Sequence, residues 1–210
     1  WPYTVNPAAA IIAPFALGFV ADRFFSTEKV LATLHLLGGG VMLFVPQLTG
    51  NPTVFILALL LYNLCYMPTL GLSNALAFHH ITDQEKQFPR IRVFGTLGWI
   101  VAGLFVSFVL GRAMGTTAEA TSAPLYTTAI ASILLGIFCF SLPNTPPSGR
   151  GKKISITAIL GIDALRALAS RSFFVFLACS FLICIPLAAY YNFTQLYLGA
   201  TGFTSIAGTQ

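Results

Sequence analysis

Arg92, Thr96, Trp99 and Gly103 follow one another at intervals of four, three and four residues. At about 100° per residue, that spacing places all four within roughly a 60° arc of one helix face. The stripe offers a guanidinium with several donors, a hydroxyl, a flat indole and a gap. Such a set can hydrogen-bond a polar ring or a sugar hydroxyl and pack against the ring's face. Arg90 points to the opposite side of the same helix. A second polar group, Tyr190, Tyr191, Asn192, Thr194 and Gln195, lies in "AYYNFTQLYLG" near the end of the chain. Asn192 and Gln195 are three residues apart and share a helix face.

These groups sit in a chain that is 56% hydrophobic and only 8% charged. An average soluble domain carries about 25% charged residues. So little charge cannot solvate a globular surface, and lipid must be the solvent for most of the chain. The net charge of +5 is concentrated in a few connections. It points to an anionic membrane face and not to nucleic acid.

A helix needs about 20 apolar residues to cross the hydrocarbon layer. The charge-free runs divide into six expected spans, roughly 5–20, 30–48, 54–78, 93–111, 124–142 and 173–198. "TGNPT" (49–53) breaks one long run in two, and "ITDQEKQFPR" reads as a polar loop. Of the eleven Lys and Arg residues, all but Arg112 fall in alternate connections. That bias fixes the inner side and has the first span running inward. An earlier span is then expected, so that five of the six complete a six-helix unit and the last begins a second. The chain reads as a fragment, cut at both ends. The expected division is 1–142, a six-helix half lacking its first helix; 143–171, an inner linker; and 172–210, the first helix of the other half.

Within the linker, Asp163, Arg166 and Ser170 fall within roughly a 60° arc over 154–170. Leu160, Ala164, Leu165 and Leu168 fall on the other side, with Ile159 out of pattern. The segment is either a helix lying on the inner membrane surface or an ordinary helix packed on the bundle.

In polar lipid-bounded spans, ionisable groups face an interior or the headgroups. Arg92 has both options: it binds something inside, or it snorkels to the headgroups. A cation in the first turn of a helix opposes the positive dipole end by about 0.3–1 kcal/mol, which favours the inward role slightly. Pro68 removes a backbone bond and Gly71 loosens the next turn, giving either a gate or a packed kink. Gly38, Gly39 and Gly40 suit close helix packing. His35 stands alone in a span, either as a buried, hydrogen-bonded neutral imidazole or as a proton relay. The four cysteines lie in apolar runs with no metal-ligand spacing. His79 and His80 diverge in direction, so no metal site is expected. No nucleophile-and-base motif or phosphate loop is present in the sequence, so a carrier is expected and not an enzyme. The six acids lie in loops or at span ends. A proton-carrying carboxylate is therefore expected in a second half beyond this chain.

"GFVADRFFSTEK" (18–29) resembles the inner-loop motif of the major facilitator superfamily. Gly18, Asp22, Arg23 and Lys29 fit it, while Phe25 and Ser26 depart from it. "YMPTLGLSNA" (66–75), "FPRIRVFGTLGW" (88–99) and "LGIDAL" (160–165) are similar to the nucleoside:proton symporter family, over roughly its second to seventh helices. The resemblance implies an all-α bundle of twelve helices, six of them present here. It implies proton-driven import of nucleosides by alternating access, through the bacterial cytoplasmic (inner) membrane. The partners would be nucleoside, protons and lipid, with no cofactor, no metal and no nucleic acid, and the protein would be a monomer. The family's binding Arg, the Thr one turn on and the aromatic beyond match Arg92, Thr96 and Trp99. Its seventh helix offers a Gln and then an Asn. Here the order is Asn192 then Gln195, and a gap-free register would bring Ala188 and Tyr191 to those places. Tyr191, Asn192 and Gln195 are the candidates on that helix. The alternative function is a carrier of the superfamily for sugars or another polar metabolite.

Overall fold

The computed structural model describes residues 2–114, 121–147, 157 and 161–201. Every regular element among them is a helix. In order they are α1 (Pro2–Arg23), α2 (Thr27–Phe44) with a 3-10 turn (Val45–Leu48), α3 (Pro52–His80), α4 (Gln84–Leu104), a π-helical stretch (Phe105–Leu110), α5 (Gly111–Met114), α6 (Ala123–Cys139), α7 (Ile162–Leu168) and α8 (Arg171–Ala200). Each of the six expected spans falls on a helix. Four of them are long and apolar enough to cross a membrane: 27–48, 52–80, 84–114 and 171–194. The chain forms two compact units, Trp1–Lys153 and Ile154–Gln210.

In the first unit, α2 is the centre, packed on α3 and α6, while α3 also packs on α1. One apolar cluster joins Val30, Leu31 and Leu34 of α2 to Cys65 and Leu72 of α3 and to Cys139 of α6. A second joins Met42 and Val45 to Ala129, with Phe55, Leu59 and Tyr62 against it. The α2–α6 crossing is close because it has no side chains at two points. A Cβ on Gly39 would lie 2.7 Å from Ile133 Cγ1 and 3.0 Å from the Ala129 carbonyl oxygen. One on Gly136 would lie 2.8 Å from Leu36 Cγ and 3.0 Å from the Ala32 carbonyl oxygen. This is the small-residue packing by which helix backbones approach in a bilayer. Gly38 meets Cys65 Cβ at 3.3 Å, whereas Gly40 faces open space. Cys65 and Cys139 are buried, whereas Cys179 and Cys184 are exposed on α8.

Helix boundaries follow local chemistry. Asn51 caps α3 by accepting from the N–H groups of Thr53 and Val54 at 3.1 and 3.3 Å. Pro52 sits at the first helical position, where its missing N–H costs nothing. Asp83 caps α4 through the Lys86 N–H at 3.1 Å. The Gln87 side chain reaches back to the N–H groups of Thr82 and Asp83 at 3.0 and 3.2 Å.

Those caps correct two expectations. "DQEKQFPR" is not a loop: α4 begins at Gln84 and carries Pro89 inside it. Arg92 is thus in the third turn of the helix, about 12 Å along its axis. The dipole argument against a first-turn cation does not apply to it, because the dipole effect fades within one turn. Ser170, expected on the linker helix, instead caps α8 by accepting from the Phe173 N–H at 3.2 Å. The described linker helix α7 ends at Leu168; of 154–160, only Thr157 lies within the described residues.

Candidate functional site

Arg92, Thr96, Trp99 and Gly103 all lie on α4, upstream of the π-helical stretch, so the even 100° step holds across them. All four are exposed on the first unit, Trp99 at 74%. The Phe88 ring of α4 stacks on Phe78 of α3 with centroids 4.3 Å apart, and further along the helix Gly98, Val101 and Ala102 line a cavity of the same unit. The stripe is turned from these three cavity residues by roughly 130° around the helix. The guanidinium of Arg92, the hydroxyl of Thr96 and the indole of Trp99 rise from successive turns of α4.

On α8, Tyr191 is exposed, and its ring meets that of Tyr190 edge-on with centroids 5.5 Å apart. The Asn192 amide donates to the Ala188 carbonyl at 2.8 Å, which leaves its own carbonyl oxygen and second N–H outward. Thr194 donates to the Tyr190 carbonyl at 2.6 Å. The side chain of Gln195 lies outside the described residues; its backbone continues α8. Pro186 interrupts the backbone ladder five residues before Tyr191.

Gly18, Asp22 and Arg23 occupy the last two turns of α1, which ends at Arg23. The side chain of Asp22 is outside the described residues, and Arg23 is half-buried. On α3, Pro68 and Thr69 are buried, and Thr69 donates to the Tyr66 carbonyl at 2.6 Å. Gly71 is open, with nothing within 4 Å of a built Cβ.

A cavity of about 490 Å³ opens inside the first unit, between α2, α3, α4 and α6. Its walls include His35, Tyr62, Tyr66, Gly98, Phe105 and Ser132. The rings of Tyr62 and Tyr66 are parallel within 9°, with centroids 5.9 Å apart. His35 is 8% exposed, and its Nδ1 lies 3.4 Å from Ser132 Oγ. His35 is thus buried and in hydrogen-bond contact with α6. The sequence signals each of these residues singly, but nothing in their spacing says that they share one cavity.

A second polar cluster went unsignalled. Glu28, in the first turn of α2, is buried at 4% exposure, and its carboxylate accepts from the Thr145 N–H at 2.9 Å. Among the described residues, no group of three or more His, Cys, Asp or Glu side chains is placed to hold a metal ion.

The family model described as "Nucleoside H+ symporter" matches residues 1–208. YegT of Escherichia coli (strain K12), provisionally named a nucleoside transporter, is 46% identical over 211 residues, which are 99% of this chain and 48% of YegT. The xanthosine permease of the same organism is 30% identical over 199 residues, 93% of this chain and 45% of the permease. A crystal structure of the nucleoside transporter NupG superposes with a TM-score of 0.76 at 30% identity, over 94% of this chain and 48% of that one. The chain spans about half the length of the relatives it matches. Its helices are those of a multi-pass membrane protein with the major facilitator fold. By a family match along almost its whole length, the chain belongs to the nucleoside H+ symporter family.

Proposed function

We propose that the protein imports nucleosides together with protons by alternating access of two six-helix halves. The observation that carries the reading is the family match over residues 1–208, joined to the stripe of donors and indole on α4. A nucleoside presents a flat, polar base and a ribose with vicinal hydroxyls. Arg92 and Thr96 are suited to hydrogen-bond it, and Trp99 to stack on its base. Tyr191, Asn192 and Gln195 of α8 are proposed to meet the substrate from the other half. Gly18, Asp22 and Arg23 are proposed as the inner-loop motif, and Pro68 and Gly71 as the flexible point of α3.

In this reading residues 1–142 are the first half without its first helix, 143–171 the linker, and 172–210 the start of the second half. The protein works as a monomer in the bacterial inner membrane. Binding near the middle of the bilayer and rocking of the halves around it is the mechanism such carriers use.

The test is uptake of labelled uridine, adenosine and xanthosine by the complete protein in proteoliposomes. Uptake that rises with an inward proton gradient and falls at least tenfold in Arg92→Ala supports the reading. Uptake indifferent to the gradient overturns the coupling. Competition by a sugar panel as strong as that of uridine would assign a different substrate class.

A further inference from the structure

The segment that leaves α6 does not run free. After Cys139 the chain makes tight turns, with the N–H groups of Phe140, Ser141 and Leu142 bonded to carbonyls three residues back. It then brings Thr145 under the ends of α2 and α3. Thr145 is 4% exposed, and each of its polar groups is engaged. Its carbonyl accepts from the Thr27 N–H at 3.0 Å. Its N–H donates to Glu28 Oε2 at 2.9 Å. Its hydroxyl lies 3.1 Å from the Pro143 carbonyl and 2.8 Å from His80 Nε2. A carbonyl can only accept, so the hydroxyl proton goes to Pro143, and His80 supplies the proton of the shorter contact.

The helix ends explain why the segment is held there. The first N–H of α2 has no partner within its own helix. Ser26, the cap residue, gives no side-chain bond. The Thr145 carbonyl takes that place from across the fold, while Glu28, favoured beside the positive end of the dipole, grips the same residue by its N–H. His80 is the last residue of α3. One residue thus joins the start of α2, the end of α3 and the exit of α6.

We propose that residues 143–145 are a strap, locked by Glu28 and His80, that stays fastened to the first half throughout the transport cycle. The inference rests on the alternating-access reading, and part of its test is independent of any substrate. Glu28 is a positioning residue: it holds the linker's origin and does not touch substrate.

Two measurements on the complete protein decide it. Hydrogen exchange at the Thr145 amide is expected to be slow in the wild type, at least tenfold faster in Glu28→Ala, and close to wild type in Glu28→Gln, which keeps an acceptor oxygen. Free exchange in the wild type, or equal exchange in wild type and Glu28→Ala, would overturn the lock, whatever the protein transports. The paired variant Thr27→Cys with Thr145→Cys is then oxidised to a disulfide, with each single variant as control. Transport within about twofold of the reduced form supports a strap that never opens. Transport lost on oxidation and restored on reduction would show that the strap must release, and would overturn the proposal.

Discussion

Ser132 donates its one hydroxyl proton to the carbonyl oxygen of His35, 2.9 Å away, and the same hydroxyl oxygen lies 3.4 Å from the His35 Nδ1. With its proton committed, that oxygen can only accept from the ring, which places a proton on Nδ1 and leaves Nε2 as the acceptor. At the end of α3, His80 carries its proton on Nε2, because the Thr145 hydroxyl accepts there. In their neutral forms the two imidazoles are therefore expected as opposite tautomers. Nitrogen NMR of histidine-labelled protein at neutral pH would check this, with assignment by His35→Gln and His80→Gln. The same tautomer at both sites would contradict the assignment.

Removing the Ser132 hydroxyl breaks a bond between α2 and α6 without touching the apolar clusters. Ser132→Ala is expected to cost about 0.5–1.5 kcal/mol, the usual net worth of one such bond. Thermal unfolding in detergent would show a lowered midpoint.

The glycines of the α2–α6 crossing should be far less forgiving than their neighbour. A methyl at Gly39 meets Ile133 and backbone at 3.1 Å or less, whereas one at Gly40 meets nothing within 4 Å. Gly39→Ala is expected to destabilise by about 1–3 kcal/mol, as overpacking does. Gly40→Ala should be neutral or stabilising by up to about 1 kcal/mol, from helix propensity. Unfolding midpoints of the two variants, measured side by side, give the comparison.

Asp83 holds the first turn of α4. Asp83→Ala is expected to cost about 1 kcal/mol and to fray Gln84–Gln87. Hydrogen exchange should speed up in that turn and remain unchanged around Arg92, two turns on. Faster exchange throughout α4 would mean that the cap governs the whole helix.

Arg92 and Arg90 should separate in transport. Charge-assisted hydrogen bonds are worth about 1.5–3 kcal/mol each, so Arg92→Ala should lower the apparent affinity for nucleoside about 10- to 100-fold. Arg90, on the opposite side of α4, should tolerate alanine within about twofold. Uptake kinetics of both variants, corrected for protein in the membrane, decide between them.

The helices were legible in the sequence because lipid leaves so little freedom. Charges could only fall between spans, and each expected span is a helix. What escaped was the start of α4. "DQEKQFPR" is polar and contains a proline, which argues for a loop, but Asp83 and Gln87 satisfy the N–H groups that begin a helix and outweigh it. The stripe was legible because spacing along one helix is a local property. The Glu28 cluster was not, because its partner Thr145 lies 117 residues away and is an ordinary threonine before a proline. The cavity around His35 was illegible for the same reason: it takes residues from four helices.

The π-helical stretch Phe105–Leu110 interrupts an otherwise α-helical rod. Such a stretch amounts to one extra residue accommodated in the ladder. The two ends of the rod are consequently out of phase by about the 100° that one residue spans. Gly111–Met114 presents to its surroundings a face that no wheel drawn from Arg92 would assign to it. A gene encoding this segment can therefore gain or lose one codon here and redirect the far end of the helix while Arg92, Thr96 and Trp99 keep their direction.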